Sequence, residues 1–360
     1  MKAAICKEFG QPLVVEELKI APPAAGEVKV KISACAICHS DILYMDGAWG
    51  GDLPSVFGHE AAGIVEQTGA GVDHLKPGDH VVVTLIRSCG SCYFCSQGEP
   101  HICETEFALD KKGPITSTAG APVKQGLRTG AFAEQVVVHH SQVVSIPHEI
   151  PLDSASLLAC GVITGLGAVV NTAAVKPASN VVVIGTGGVG LNSVQGAVLC
   201  GAQTIIAVDI ANSKLDAAKS FGATHTINSS NENLKEGVFE LTQNRGADYV
   251  FVTVGNTKAI EQGAELLRKG GTMVIVGMTA SGVKSELETL EIANNAQRIL
   301  GSKMGATRLQ LDMPKLVNWY QQGRLKLDEL ISGRYPLNQI NEAIASTKQG
   351  DALRNVVVFD

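Results

Sequence analysis

The sequence predicts an α/β protein with two domains, one rich in short strands and one built around a doubly wound parallel sheet. Three observations support this fold class. Short β-branched runs dominate the first part of the chain, apolar strands alternate with helical stretches beyond about residue 162, and a glycine-rich turn follows the first of those strands. A length of 360 residues is enough for two domains of ordinary size.

The first part is predicted to be an irregular β-rich core. Its strand-like runs, separated by Gly, Pro and Asp, are VKVKIS (28–33), AAGIVEQTG (61–69), HVVVTLI (80–86) and AEQVVVH (133–139). A polar segment at about 104–130 is predicted to be a long loop that lines a cleft. A closing strand VVVF (356–359) suggests that the tail of the chain completes this domain.

The second part is predicted to be a parallel sheet covered by helices. Its apolar strands are VVVIG (181–185), TIIAVD (204–209), YVFVTVG (249–255) and GTMVIVGM (271–278), and they show no polar alternation. Continuous apolar strands joined by helices indicate a sheet that is buried on both faces. The predicted domains are therefore 1–161 completed by 303–360, and 162–302.

Four closely spaced cysteines within 89–103 predict a metal-binding lobe. A C-x2-C-x2-C-x7-C spacing can supply four thiolates to a tetrahedral zinc ion. The ligands would be Cys89, Cys92, Cys95 and Cys103. An iron–sulfur cluster is an alternative, although Glu104 stands where such sites usually have proline. Disulfides are a second alternative, but the chain begins without the features of a secretory leader.

The glycine-rich turn GTGGVG (185–190) predicts a dinucleotide site because it joins a strand to a helix. Gly185 would allow the tight turn, Gly187 would let the backbone approach a pyrophosphate, and the helix N-terminus would supply free N–H groups. Asp209 ends the next strand, where a carboxylate can accept hydrogen bonds from a ribose and repel a 2′-phosphate. Lys214 can add a second ribose contact. This pattern favours NAD, although Asp209 could instead cap a helix.

Two further cysteines and a histidine could form a second metal site. Cys38, His59 and Cys160 provide two thiols and an imidazole, a ligand set of catalytic zinc sites that leaves one position for water or substrate. Each residue is weak evidence alone, because Cys38 could be an ordinary buried thiol and His59 could be a turn residue.

Composition limits the possible partners. The formal charge is −6 without a long basic run, which argues against nucleic-acid and membrane partners. The most apolar region, 180–208, is interrupted by polar residues and glycines, so no continuous membrane-spanning stretch is predicted. The sequence predicts a cytoplasmic protein whose partners are small molecules and further copies of itself, as a homodimer or homotetramer.

With these motifs, the chain resembles a zinc-dependent medium-chain alcohol dehydrogenase over essentially its whole length, and in particular the bacterial NAD-dependent members with two zinc ions. Besides the cysteine-rich lobe, the motifs that carry the resemblance are CHSD (38–41), GHEAAGIVEQTGAGV (58–72), PGDHV (77–81), CGVITGLGAV (160–169), GTGGVG (185–190), VDI (208–210) and GDALRNVVVF (350–359). The resemblance implies a GroES-like catalytic domain and a Rossmann domain.

The resemblance also implies roles for individual residues. Ser40 would accept the alcohol proton, Asp41 would hold the ring of His59, and Glu60 would approach the metal during ligand exchange. Hydride would pass between the alcohol carbon and the nicotinamide ring. The residues assigned to the cofactor are His39, Thr164, Gly185, Gly187, Gly188, Val189, Gly190, Asp209, Lys214, Val254, Val276 and Arg354. The expected apolar substrate pocket contains Leu43, Trp49 and Leu85.

Two departures from the family pattern affect the expected function. Leu43 replaces a histidine that many relatives use to relay protons to the surface. Phe107 replaces an arginine of the glutathione-dependent, formaldehyde-oxidising members, which argues against S-hydroxymethyl-glutathione as substrate. Alcohol dehydrogenase activity is the leading hypothesis. The alternatives are polyol or amino-alcohol oxidation at the same site, against which Cys160 argues, and a non-catalytic binding protein that retains the fold.

Overall fold

The computed structural model describes residues 1–350 and 352–360, so that Asp351, within the closing motif, lies outside the described residues. The chain forms two compact units, Met1–Cys160 with Arg308–Asp360, and Gly161–Thr307. The second unit thus extends to Thr307, whereas the sequence places its end at residue 302. Its last residues belong there because the Thr307 hydroxyl donates to the carbonyl of Ile163 in this unit at 3.4 Å.

The strands fall in two groups along the chain. They are β1 (Lys2–Cys6), β2 (Val14–Ile20), β3 (Glu27–Ala36), β4 (Ser55–Val56), β5 (Glu60–Thr68), β6 (His80–Val83), β7 (Ile115–Ser117), β8 (Pro122–Gln125), β9 (Gln135–His139), β10 (Val143–Ser145), β11 (Asn180–Ile184), β12 (Thr204–Asp209), β13 (His225–Asn228), β14 (Ala247–Val252), β15 (Leu267–Ile275), β16 (Arg298–Gly301), β17 (Ile331–Pro336) and β18 (Arg354–Val358).

The longer helices lie mostly between the strands of the second unit and in the tail. The α-helices are α1 (His39–Met45), α2 (Tyr93–Ser96), α3 (Ala108–Lys111), α4 (Leu152–Ser156), α5 (Gly161–Gly167), α6 (Gly188–Leu199), α7 (Asn212–Ser220), α8 (Leu234–Leu241), α9 (Thr257–Glu265), α10 (Thr289–Asn294), α11 (Leu309–Gln321) and α12 (Ile340–Gln349).

The first unit is built from two sheets that share one apolar core. One sheet is a closed barrel in the order β1-β2-β7-β8-β4, and the other runs β10-β6-β5-β3-β18-β17 with β9 also paired to β3. Strand β18 comes from the tail and pairs antiparallel with β3, with Val357 opposite Cys35. The valines of β3, β6 and β9, and Val356 and Val357 of β18, are fully buried in this unit because their pleated, β-branched faces pack against one another.

The second unit contains a parallel sheet in the order β13-β12-β11-β14-β15-β16. The chain leaves β11 first toward β12 and β13, and then returns to the other side for β14, β15 and β16. This arrangement confirms the doubly wound sheet that the continuous apolar runs predict. The turn after β11 lies where the order of the strands reverses, the place at which such sheets bind nucleotides.

The described residues include no single helix that is long and apolar enough to cross a membrane. The consecutive segments 152–159 and 161–172 reach the required length and composition only when they are taken together.

A histidine cluster lies where β9 ends. The rings of His139 and His140 are 4.4 Å apart between centroids, and His74 lies 5.1 Å from His140. Burial, together with the nearby charges of His140 and Arg87, lowers the pKa of His139 to about 4. Burial and His74 lower the pKa of His140 as well. The folded protein therefore favours neutral rings in this cluster.

We expect this cluster to reduce stability in acid. An unfolded histidine has a pKa of about 6.5, so the unfolded chain binds more protons than the folded one as pH falls from about 6.5 toward 4. Replacing His139 with asparagine should reduce that loss by about 1 kcal/mol, because the side chain is only partly screened from water. Urea unfolding at pH 7.5 and 5.0 measures the difference, with His225→Asn as control. Equal acid losses in wild type and His139→Asn would contradict the prediction.

Candidate metal centres and nucleotide-binding turn

The structure brings the three separated candidate ligands of the second metal site together in the first unit. The ligand atoms of Cys38, His59, Glu60 and Cys160 all lie within 4.8 Å of one another. The two thiols are 6% exposed, and the imidazole and carboxylate are fully buried. Such a group is costly to bury unless its members are paired or hold a metal ion.

Strand pairing creates this cluster. Strands β3 and β5 are antiparallel with Ala36 opposite Glu60, which places Cys38, just after β3, beside the start of β5. Gly58 turns the chain into β5 with φ of 90°, and a Cβ atom there would lie 2.6 Å from the backbone nitrogen of Phe132. Only glycine accommodates both constraints.

Hydrogen bonds fix the orientation of the buried imidazole. Asp41 Oδ1 lies 3.0 Å from His59 Nδ1 and also accepts the backbone N–H of Gly58 at 2.9 Å. His59 Nε2 is buried, and no hydrogen-bond partner for it is found in residues 1–350 and 352–360. A carboxylate on one ring nitrogen and a buried, unbonded nitrogen on the other fit a metal-ligating histidine.

The charges of the cluster also fit a cation. A hydrogen bond from Cys160 holds the pKa of Cys38 well below its ordinary value despite burial, and the charge of His59 lowers it further. The same hydrogen bond raises the pKa of Cys160. Burial lowers the pKa of His59, but Asp41 and Cys38 together raise it well above its ordinary value. The site therefore favours a thiolate and a positive charge beside it. A zinc ion matches this donor set.

Glu60 and Arg354 form an ion pair at the edge of this cluster, and both side chains are buried, at 0% and 6% exposure. Burial raises the pKa of Glu60 to about 7, and the guanidinium of Arg354 opposes that rise. The sequence assigns Glu60 to the metal and Arg354 to the cofactor. The structure joins the two in the first unit.

The four cysteines of the lobe also lie together, with all four sulfur atoms within 4.8 Å of one another. All nine cysteines of the chain are free thiols, so the structure contains no disulfide among them. The Thr105 hydroxyl donates to Cys89 Sγ at 3.0 Å, and this bond contributes most to lowering the pKa of Cys89 to about 5. Backbone hydrogen bonds lower the pKa of Cys92 as well. Four thiols, two of them with a lowered pKa, fit a closed structural zinc site.

The glycine turn of the second unit has the geometry that a dinucleotide requires. Gly185 has φ of 89°, and a Cβ atom at Gly190 would lie 1.8 Å from the Gly185 carbonyl oxygen. A Cβ atom at Gly187 would meet no atom within 4 Å. The first and third glycines therefore allow close packing, whereas the second faces open space in which a pyrophosphate could lie.

Asp209 holds the turn from the end of β12. Its Oδ2 accepts the N–H of Thr186 at 2.8 Å and the Thr186 hydroxyl at 3.1 Å, while its Oδ1 accepts the N–H groups of Ile210 and Ala211. The carboxylate thus stabilises the backbone at this end of the sheet. Sequence reasoning missed Thr186, although it lies within the glycine motif.

The other predicted cofactor residues divide between the units. Val254 and Val276 follow β14 and β15, at the same edge of the sheet as the glycine turn, and are 36% and 7% exposed. Thr164 is 9% exposed and Lys214 lies on α7. In the first unit, His39 is the exposed first residue of α1.

One of the predicted pocket residues, Trp49, lies next to other aromatic rings. The Trp49 ring lies 5.1 Å from that of Tyr44, which stacks on Phe57 at 6.0 Å. Leu43 and Leu85 are partly exposed in the same unit. Sequence reasoning identified Trp49 but missed Tyr44, although Tyr44 directly follows Leu43.

Two family models match the chain, an alcohol dehydrogenase GroES-like domain over residues 24–148 and a zinc-binding dehydrogenase domain over residues 188–322. A class-3 alcohol dehydrogenase from Pisum sativum is 38% identical, with 99% of this chain and 97% of the relative covered. The probable S-(hydroxymethyl)glutathione dehydrogenase 1 of Schizosaccharomyces pombe is also 38% identical, with 99% and 96% covered.

The chain belongs to the zinc-dependent medium-chain alcohol dehydrogenase family. The crystal structure of benzyl alcohol dehydrogenase from Acinetobacter calcoaceticus superposes with a TM-score of 0.93 at 32% identity, covering 100% of this chain and 99% of that one. These findings confirm the predicted GroES-like and Rossmann domains.

As a member of this family, the protein is an NAD-dependent oxidoreductase that interconverts an alcohol and its aldehyde or ketone, with zinc and a nicotinamide dinucleotide as cofactors. Its substrates are accordingly small-molecule alcohols or carbonyl compounds. Full-length similarity to named dehydrogenases argues against the alternative of a non-catalytic binding protein.

The carboxylate beside His59 offers a direct test of the buried site in this dehydrogenase. Replacing Asp41 with asparagine keeps the shape but removes the charge that orients the imidazole, so we expect zinc affinity at this site to fall by about 10- to 100-fold. Zinc retention during dialysis against a chelator measures this change. Glu66→Gln, on the exposed part of β5, is a control. Wild-type retention in Asp41→Asn would contradict the role given to Asp41.

Proposed function

We propose that this dehydrogenase oxidises apolar primary alcohols, and reduces the corresponding aldehydes, at a zinc ion held by Cys38, His59 and Cys160. The main support for this proposal is the buried cluster of two thiols and an imidazole that Asp41 orients. A zinc ion there supplies Lewis-acid chemistry that polarises a hydroxyl or carbonyl oxygen. A second zinc ion in the lobe has a structural role, since four thiolates leave no position for substrate.

The chain's own residues would orient the reactants and move the proton. Asp41 keeps His59 in one tautomer, so that Nε2 remains directed to the metal. Ser40, partly exposed on the first turn of α1, would accept the alcohol proton through its hydroxyl. Glu60 is engaged by Arg354, which supports a role in ligand exchange rather than permanent ligation.

The nucleotide would bind at the turn after β11, with its pyrophosphate over Gly187, Gly188, Val189 and Gly190. Asp209 would accept hydrogen bonds from the adenosine ribose and disfavour a 2′-phosphate. Lys214 would add a second ribose contact, and Thr164, Val254 and Val276 would lie beside the nicotinamide. His39 and Arg354 would contact the phosphates.

Asp209 should determine the choice of NAD over NADP. Replacing it with serine removes the negative charge, so we expect the ratio of kcat/KM for NAD to that for NADP to fall by at least tenfold. Steady-state rates with each cofactor, followed by NADH or NADPH absorbance, measure the ratio. Asp216→Ser on the neighbouring helix is the matched control. An unchanged ratio would argue against this role of Asp209.

The proposed substrate class depends on the pocket residues. Leu43, Trp49 and Leu85 are apolar, and Tyr44 and Phe57 extend an aromatic wall around Trp49. Phe107 takes the place of the arginine of glutathione-dependent relatives, so a glutathione adduct would lose its cationic partner. Cys160 as third ligand argues against the polyol branch.

A substrate panel tests this proposal. We expect benzyl alcohol and medium-chain primary alcohols to give kcat/KM at least 100-fold above that for S-hydroxymethyl-glutathione or sorbitol, measured by NADH absorbance. The reverse order would exclude the proposed substrate class. Metal analysis of the same preparation should return two zinc ions per chain.

We also propose that the protein is a homodimer or homotetramer in the cytoplasm. Strand β16 is the edge of its sheet, and the segment between β15 and β16 exposes apolar side chains, among them Met278 at 57%, Val283 at 49% and Leu290 at 71%. An open strand edge with exposed apolar groups is suited to pairing with a second copy. Light scattering measures the mass, which should be that of two or four chains for wild type and lower for Leu290→Glu.

A further inference from the structure

We propose that Arg87 closes the zinc lobe, so that retention of the lobe zinc depends on this residue although it is not a ligand. Arg87 is therefore a positioning residue, two positions before the first lobe cysteine, and its side chain is only 1% exposed. The inference rests on the lobe zinc of the proposed function and concerns a residue to which no role has been assigned.

Each nitrogen of the Arg87 guanidinium has its own partner. Nε donates to Gln142 Oε1 at 2.7 Å, Nη1 donates to Asp110 Oδ1 at 2.9 Å, and Nη2 donates to the carbonyl of Arg128 at 3.0 Å. Gln142 is itself held, because its amide donates to the carbonyls of Thr84 and Arg128. The guanidinium therefore links segments that lie before and after the lobe.

Two of the groups that contact Arg87 after the lobe lie at the start of one short helix, α3. Phe107 precedes α3, and its ring lies 5.5 Å from the guanidinium carbon of Arg87. Asp110 Oδ2 accepts the N–H of Phe107 at 2.9 Å, so one carboxylate both caps this helix and pairs with Arg87. Since Cys103 lies only four residues before Phe107, these contacts fix the exit of the lobe relative to its entry.

The contacts of the buried Arg87 guanidinium are energetically coupled to zinc binding in the lobe. Burying a guanidinium is unfavourable unless a carboxylate and further acceptors compensate for lost hydration. Asp110 supplies the carboxylate, and Gln142 and the carbonyl of Arg128 supply the further acceptors. Its partners come together only when the entry and exit of the lobe are adjacent.

Four thiols also come together only in that arrangement, and a zinc ion stabilises it. Two events that require the same arrangement are thermodynamically linked, so each favours the other. Loss of the Arg87 contacts should therefore weaken zinc binding in the lobe, whereas the cluster of Cys38, His59 and Cys160 shares none of these contacts.

Zinc release to a chromogenic chelator, followed in the full-length protein, tests the proposal. Wild type should release two zinc ions in two phases, and Cys89→Ser identifies the lobe phase by its absence. We expect Arg87→Met and the isosteric Asp110→Asn to accelerate the lobe phase at least tenfold. Arg87→Lys, which keeps the charge but loses the three-way bonding, should give an intermediate rate. The other phase and NADH affinity should stay at wild-type values.

Lys111→Met is the matched control, because Lys111 lies on the same helix and its side chain is exposed, in a pair with exposed Glu106. Should Arg87→Met fail to fold, Asp110→Asn and Arg87→Lys still decide the outcome. Wild-type release rates in both would overturn the role of Arg87 while leaving the zinc assignments intact. Release of one zinc ion by wild type, or an unchanged profile in Cys89→Ser, would instead overturn the lobe zinc of the proposed function.

Discussion

Replacing Cys38 with alanine is expected to lower kcat/KM for alcohol oxidation by about 10⁴-fold, equivalent to roughly 5 kcal/mol of transition-state stabilisation. The substitution removes the thiolate that the cluster favours most, and two remaining ligands hold zinc poorly. Zinc content should fall from two ions per chain to one. NADH oxidation with an aldehyde and metal analysis of the same sample give both quantities.

Cys200→Ala is the control for this experiment, because Cys200 lies at the end of α6 and belongs to neither cysteine cluster. It should keep both zinc ions and wild-type rates. Unchanged zinc content in Cys38→Ala would exclude Cys38 as a ligand. Retention of more than a tenth of the activity after zinc loss would exclude the proposed catalytic centre.

Replacing Gly187 with alanine is expected to weaken NADH binding by about 10- to 100-fold without changing the stability of the free protein. The added Cβ would meet no protein atom within 4 Å, and the backbone at Gly187 has an ordinary φ of −74°. The same methyl group would occupy the space through which a pyrophosphate approaches the backbone. Fluorescence titration with NADH and urea unfolding of the free protein measure the two effects.

Gly190→Ala is the matched comparison within the same turn. Its Cβ would lie 1.8 Å from the Gly185 carbonyl oxygen, so α6 and β11 would have to move apart and the free protein should lose stability. The pair therefore separates a glycine needed for the ligand from one needed for packing. Equal NADH affinities in wild type and Gly187→Ala would place the nucleotide elsewhere.

The Rossmann half of the protein could be predicted almost entirely from sequence. Its strands are short apolar runs, and its glycine turn lies between β11 and α6, so the signals are local in the chain. The end of the unit was less well defined. Residues 303–307 carry no strand or helix pattern, and the hydrogen bond from Thr307 to Ile163 that attaches them to the second unit is a long-range contact.

The metal clusters differ in what the sequence could establish. The lobe cysteines lie within 89–103, so their spacing alone indicates a metal site. Cys38, His59 and Cys160 are far apart in the chain, so their residue types indicate a ligand set only weakly, and the resemblance to a family supports the grouping. In the fold, the pairing of β3 with β5 brings Cys38 to His59.

The two-part α/β architecture, the glycine turn and the cysteine lobe could be predicted from sequence, because hydrophobic periodicity, turn residues and ligand spacing are properties of neighbouring residues. Three features emerged only from the folded structure: the pairing of Glu60 with Arg354, the packing of Tyr44 and Phe57 near Trp49, and the bonding of Arg87, before the lobe, to residues after it. These contacts join residues distant in the chain, and their energies depend on burial and strand register.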